Sequence, residues 1–252
     1  MKLLPCLALV AACSSTPAGP PAQSTLTGTV SADTTLTGVV ALSGSVSIPS
    51  GVTVTVAAGT ILEASTTTQL DVAGTLVLMG EKGNVVTLES ANTGDFWGGV
   101  KVEGTYEMHY GKQVGGGIFT NGGTTTITDS EMTDSQGDFL VEDGGTVDVE
   151  FSNLGAEDGT NSHCNIHINS VSSFTFTHSN NAGSTFGLML YGGSNTDFTH
   201  DNWLSNDTDI EPGASGTGDF DEGYFPSGQP AGVQGSSFAN LSSSRLSDVG
   251  PR

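Results

Sequence analysis

Two short stretches, Phe176-Thr177-His178 and Phe198-Thr199-His200, repeat the same tripeptide in a chain that has only 5 histidines. Paired imidazoles can share a metal ion or relay a proton, but a metal site needs three or four converging ligands. His163-Cys164-Asn165-Ile166-His167 offers two more imidazoles and a thiol, ligand types that zinc takes. No second cluster in the sequence completes a tetrahedron around them. A buried thiol is therefore expected at Cys164, facing inward with Ile166, while His167 faces out. Lys101 and Lys112, with His109 between them, are the residues placed to abstract a proton. Asp207, Asp209, Asp219 and Asp221 are candidate Ca²⁺ ligands, although their spacing matches no twelve-residue calcium loop.

The segments carrying these residues are short β-type runs. The chain has 36 glycines, much Thr and Ser, and only 13% charged residues, a composition suited to pleated strands and tight turns. "GVTVTV" (51–56) alternates Val with Thr. "GSVSI" (44–48), "GTILE" (59–63) and "GTLVL" (74–78) start at a regular interval. Further along, Ile118, Leu140, Ile166, Leu188 and Ile210 open successive strands at a period of about 22 residues. A second strand follows in each turn, aligning Ile127, Val149, Phe176 and Phe198 in one apolar column. Met132, Leu154, Asn181 and Trp203 form another, and Asn153, Asn180 and Asn202 are placed to bond as an amide ladder.

This periodicity predicts an all-β solenoid, a single-stranded parallel β-helix of about nine coils over residues 25–215. At ~4.8 Å per coil the rod is on the order of 40 Å long. Residues 216–252 are expected to cap it, and the acid-rich stretch 205–223 reads as a disordered linker. On such strands Phe176 and Phe198 face inward, Thr177 and Thr199 outward, and His178 and His200 inward again beside the turn. The two histidines then stack in one column with Asp129 and Phe151, bonded to turn backbone, and form one structural rung written twice.

With 27 acidic against 6 basic residues, the formal charge of −21 excludes binding of nucleic acid or anionic membrane through a basic face. Residues 1–12 have the layout of a signal peptide, and "VAAC" (10–13) resembles the lipobox of bacterial lipoproteins. That resemblance implies lipidation at Cys13 and export to the outer membrane, with 13–24 as a Pro- and Ser-rich tether. Membrane attachment is expected only through that anchor, and the protein is expected to be a monomer.

"IPSGVTVTVAAGTILEA", "LDVAGTLVLMGEKGNVVTLES" and "GDFWGGVKVEG" resemble the opening coils of bacterial right-handed parallel β-helix surface proteins, which share the pectate-lyase fold. The resemblance covers roughly residues 35–210 and implies three parallel sheets with capped ends. Polysaccharide lyases and pectin hydrolases of this fold imply a lysine or arginine base, or paired aspartates with Gly-His-Gly and Arg-x-Lys. The last three are missing from this sequence, and "NTD" (195–197) alone does not replace them.

Two features point instead to recognition. Residues 103–117 interrupt the repeat as a loop whose Tyr106 and Tyr110 can stack on sugar rings. Phe119, Val141, His167 and Met189 face outward as a stripe, with Asn121, Asp143, Asn169 and Tyr191 beside it. The stripe is either a partner surface or is covered by the tail containing Tyr224, Phe225 and Phe238. The expectation is a non-catalytic surface module acting in adhesion, envelope organisation or glycan binding, with a glycan or surface protein as partner and no cofactor, Ca²⁺ being the one ion its acids suit. The alternative is a lyase or hydrolase acting on acidic glycans.

Overall fold

The computed structural model describes residues 24–158, 162–213 and 215–252; residues 1–12, Cys13 and most of the tether lie outside it. Short parallel strands wind into a solenoid with three faces, and among the described residues there is no helix. The second face is an eight-stranded sheet running from Thr34–Leu36 to Thr196–Asp197, so the rod has about eight turns where the sequence suggested nine. The first face stacks Gln69–Val72, Val100–Val102, Ile118–Asn121, Leu140–Asp143, Cys164–Ser170, Phe186–Leu190 and Thr208–Pro212. The third stacks Ile61–Ala64, Val86–Ser90, Gly111–Val114, Glu131–Thr133, Asn153–Gly155, Asn180–Ala182 and Asn202–Leu204. One long strand, Val39–Ile48, turns the corner and belongs to both of these faces.

The apolar columns pair in the expected register. Ile118, Leu140, Ile166, Leu188 and Ile210 stack directly, as do Ile127, Val149 and Phe176. The early 15-residue interval has a different meaning: its three runs lie on three different faces, one strand each. A Gly followed by alternating β-branched residues looks the same on any face, so spacing alone does not separate strand from coil.

The histidine column departs from strict alternation. Tyr110, Asp129, Phe151, His178, His200, Glu222 and Asn240 all have positive φ, between 44° and 62°. They form the corner between the second and third faces, one residue per coil. A single left-handed residue bends the chain and swings its own side chain outward, so His178 and His200 lie on the rim and not in the core. They do stack in one column: the rings of Phe151 and His178 are 4.9 Å apart and those of His178 and His200 4.8 Å.

The residue after each corner points inward in its place. Ser130, Ser152, Ser179 and Asp201 are fully buried. Each accepts a bond from the backbone N–H one coil below: Gly111 to Ser130 at 2.9 Å, Ser130 to Ser152 at 3.2 Å, Ser152 to Ser179 at 3.0 Å and Ser179 to Asp201 at 2.8 Å. The three hydroxyls donate back to the carbonyls of Thr128, Glu150 and Thr177. This polar spine satisfies donors that a tight corner would otherwise leave unpaired. Just outside it the asparagine ladder forms, Asn180 donating to Asn153 at 2.7 Å and Asn202 to Asn180 at 2.9 Å.

The expected loop at 103–117 is two strands, Thr105–His109 and Gly111–Val114. Tyr106 is fully buried and donates its hydroxyl to Gln113 at 2.8 Å, so it stacks on no ligand. The described residues of the acid-rich stretch are likewise ordered: Thr208–Pro212 pairs with Phe186–Leu190. Beyond it the tail extends the solenoid. Phe220 stacks on Phe198 and Phe238 on Phe220, each at 4.9 Å, while Phe225 lies on Trp203 at 5.5 Å. These rings close the core, each pair contributing about 0.5–1.5 kcal/mol beyond area burial. Residues 245–252 then run back across the corner column. Leu246 exchanges bonds with Asn202, Asp248 meets His200 at 3.1 Å and the Gly250 N–H bonds the His178 carbonyl. Arg252 forks onto Asp129 at 2.9 Å with its guanidinium 3.7 Å from the Phe151 ring.

Candidate functional site

The outward stripe of the first face is in register through Asp71, Lys101, Phe119, Val141, His167, Met189 and Glu211. The aromatic tail closes the rod's end and does not cover this stripe. Phe119, Val141 and His167 stay half-exposed, Tyr191 is 38% exposed, and Met189 keeps only 9%.

A groove runs along the stripe in two adjoining stretches of about 540 and 480 Å³ that share Gly98, Phe119, Val141 and Asn169. One wall is the turn Ser135–Asp138 with Trp97; the opposite edge carries Asn121, Asp143 and Asn169. Trp97 is fixed by its indole N–H, which donates to the Val114 carbonyl at 2.9 Å. Its ring lies against Gly116, where a Cβ would come within 2.4 Å of it, so the absent side chain there is what admits the indole. The register between Leu140–Asp143 and Cys164–Ser170 slips by one residue at Asp143, a bulge that leaves Asn169 unpaired at the groove edge. His167 and Tyr191 rings meet at 5.3 Å and close the far end.

The residues suited to proton abstraction do not converge. Lys101, His109 and Lys112 belong to a single coil but to its first, second and third faces respectively. Only Lys101 reaches the groove. Its ammonium bonds Glu103 at 2.7 Å, and that bond and charge hold its pKa above the ordinary lysine value, so the group stays protonated and unable to accept a proton. His109 bonds the Thr128 hydroxyl at 2.7 Å on the second face. Tyr110 occupies a corner position, away from the groove.

The four candidate calcium ligands are also dispersed. Asp207 and Asp209 sit around the strand Thr208–Pro212, Asp209 accepting a bond from Asn206 at 3.1 Å. Asp219 and Asp221 turn the next corner, where Asp221 is taken up by Ser237 and the Ala239 N–H. Among the described residues the group able to ligate a metal is a different one: Asp138, Cys164 and His167.

Cys164 is the buried free thiol expected, but its sulfur faces Asp138 and His167 and does not lie inward with Ile166. Asp138 stands one coil below Cys164, the Phe139 N–H bonding the Cys164 carbonyl at 2.8 Å. Its carboxylate bridges His163 Nδ1 at 3.1 Å and His167 Nδ1 at 2.7 Å. Burial acts to raise the Asp138 pKa, but hydrogen bonds from both imidazoles and the thiol outweigh it and hold the group below its usual value. Burial, reinforced by the Asp138 charge, pushes the thiol up. The sequence does not announce Asp138 because its partners lie 25, 26 and 29 residues on, across the coil lengthened by an insertion; aligning coil on coil places it directly beneath Cys164.

Compared with known proteins, the chain matches no family model, and no curated protein or solved structure is significantly similar to it.

Proposed function

We propose that this protein is a non-catalytic recognition rod that binds an extended glycan along the groove of its first face. The observation that carries this is the open, apolar-floored channel of Phe119 and Val141, edged by Asn121 and Asn169 and ended by His167, on which Tyr191 packs. Aromatic and aliphatic faces suit the apolar faces of sugar rings, while amides at the edge suit their hydroxyls. Rungs repeat every ~4.8 Å along the rod, so like side chains recur at a regular interval suited to a repeating polymer. The separation of Lys101, His109 and Lys112 on three faces favours binding over turnover.

The lipobox-like "VAAC" supports attachment to a bacterial outer membrane through Cys13, with the rod held off the surface by the tether. The strong negative charge favours a neutral glycan, or an acidic one bridged by Ca²⁺.

The test is a panel of uronate, neutral-glucan and chitin-type polymers, with and without Ca²⁺, recording binding and released products together. The expected result is binding without products, weakened about tenfold or more by Phe119→Ala or Tyr191→Ala, equivalent to about 1.4 kcal/mol. Product release lost in Lys101→Ala would replace the proposal with a polysaccharide lyase. Absence of binding to every polymer would leave a protein partner for the same stripe.

A further inference from the structure

We infer that Asp138, His163, Cys164 and His167 form a binding site for a borderline-soft divalent transition metal, Zn²⁺ in the first instance. The site shares Asp138 and His167 with the groove wall, but none of its donors depends on a glycan being bound. Its donor set of one thiol, two imidazoles and one carboxylate is a combination that zinc accepts in four-coordinate sites. Three of the donors already lie together, and His163 stands at their edge beside Asp138 and Cys164. The ligand atoms of Asp138, Cys164 and His167 all lie within 4.8 Å of one another. His163 Nδ1 is 3.1 Å from Asp138 Oδ1 and 3.3 Å from Cys164 Sγ, and His167 Nδ1 is 2.7 Å from Asp138 Oδ2. The edge of a tetrahedron with bonds of 2.0–2.3 Å is about 3.3–3.8 Å, so small shifts convert the hydrogen-bonded cluster into a coordination sphere.

Several contacts hold the donors in place. The His163 N–H bonds the Gly137 carbonyl at 2.9 Å and the His163 carbonyl accepts from Phe186 at 2.9 Å. The Phe186 ring packs edge-on against His163 at 5.2 Å, and Tyr191 abuts His167. The Cys164 thiol forms the buried floor, while His163, with a side chain 55% exposed, leaves an entry path. On binding, each imidazole moves its proton from Nδ1 to Nε2, and the thiol gives up one proton to solvent. The metal then ties the wall turn of one coil to the strand of the next.

The experiment uses the full chain with Cys6→Ser and Cys13→Ser, so that Cys164 is the only thiol. Zn²⁺ titration by calorimetry in two buffers should show one ion per chain and release of about one proton. Co²⁺ should give four-coordinate ligand-field bands and a thiolate charge-transfer band, the latter abolished by Cys164→Ser. His167→Gln should weaken Zn²⁺ at least tenfold and remove the rise in melting temperature that Zn²⁺ produces in the parent. A thiol-reagent assay on the parent needs no ligand variant, and Zn²⁺ should protect Cys164 from modification. Zn²⁺ binding unchanged by both variants, a Co²⁺ complex without the thiolate band, or no thiol protection would each overturn the inference, leaving only loose association with surface carboxylates.

Discussion

At the residue scale, two acids sit in the rod interior with no counter-charge. Glu142 occupies an inward position between Thr120 and Ile168, fully buried, and neither carboxyl oxygen has a hydrogen-bond partner. Burial pushes its pKa up to about 9, opposed only by the nearby Thr120 hydroxyl, which pairs with Thr125 at 2.8 Å. Such a group keeps its proton in the folded chain but loses it near pH 4.5 once unfolded. Its contribution is therefore neutral below about pH 4.5 and increasingly destabilising as pH rises toward 9. At pH 7 the cost is about 3 kcal/mol from 1.36 kcal/mol per unit of pKa difference. Glu142→Gln should match the parent in denaturation at pH 4.5 and exceed it by an amount of that order at pH 7; equal stability at both values would place the carboxyl in contact with water. Asp201 is also fully buried, with its pKa raised by burial and one oxygen unpaired, so it marks the end of the serine spine as a second strained point.

At the scale of the element, the repeating unit is a corner: a left-handed residue facing out, then a small hydroxyl residue facing in. Removing one hydroxyl tests how much the spine contributes. Ser152→Ala strips the Ser130 N–H of its acceptor and the Glu150 carbonyl of a donor, both in a dry interior. The expected loss is about 1–3 kcal/mol in urea denaturation with an unchanged m-value. A loss below a few tenths would mean that water reaches the corner.

At the scale of the molecule, the rod is finished at one end by stacked aromatics and strapped along one edge by its own last residues. The strap ends where Arg252 forks onto Asp129, and that pair lowers the Asp129 pKa through its hydrogen bonds. Because the guanidinium is exposed, its removal should loosen the strap and not the fold. Arg252→Ala is expected to speed amide exchange at Gly250 and at position 252 severalfold while core strands exchange at the parent rate. Faster exchange throughout the third face would show instead that the strap is part of the cooperative unit.

The sequence by itself determined the solenoid, the apolar columns, the asparagine ladder and the outward stripe, because stacked coils place residues one period apart in direct contact. Ile118 and Leu140, or Asn180 and Asn202, announce their contact by repetition. It did not determine which face a given run occupies, as the early Gly-led strands show, because alternation is the same on every face. Nor did it determine which way the corner residues point. Strict alternation points His178 and His200 inward, and a single positive φ at each corner reverses that. The Asp138–Cys164–His167 cluster depends on the tertiary structure for a related reason: an insertion shifts the period in that coil, so the carboxylate meets its partners only once the chain has wound back over itself.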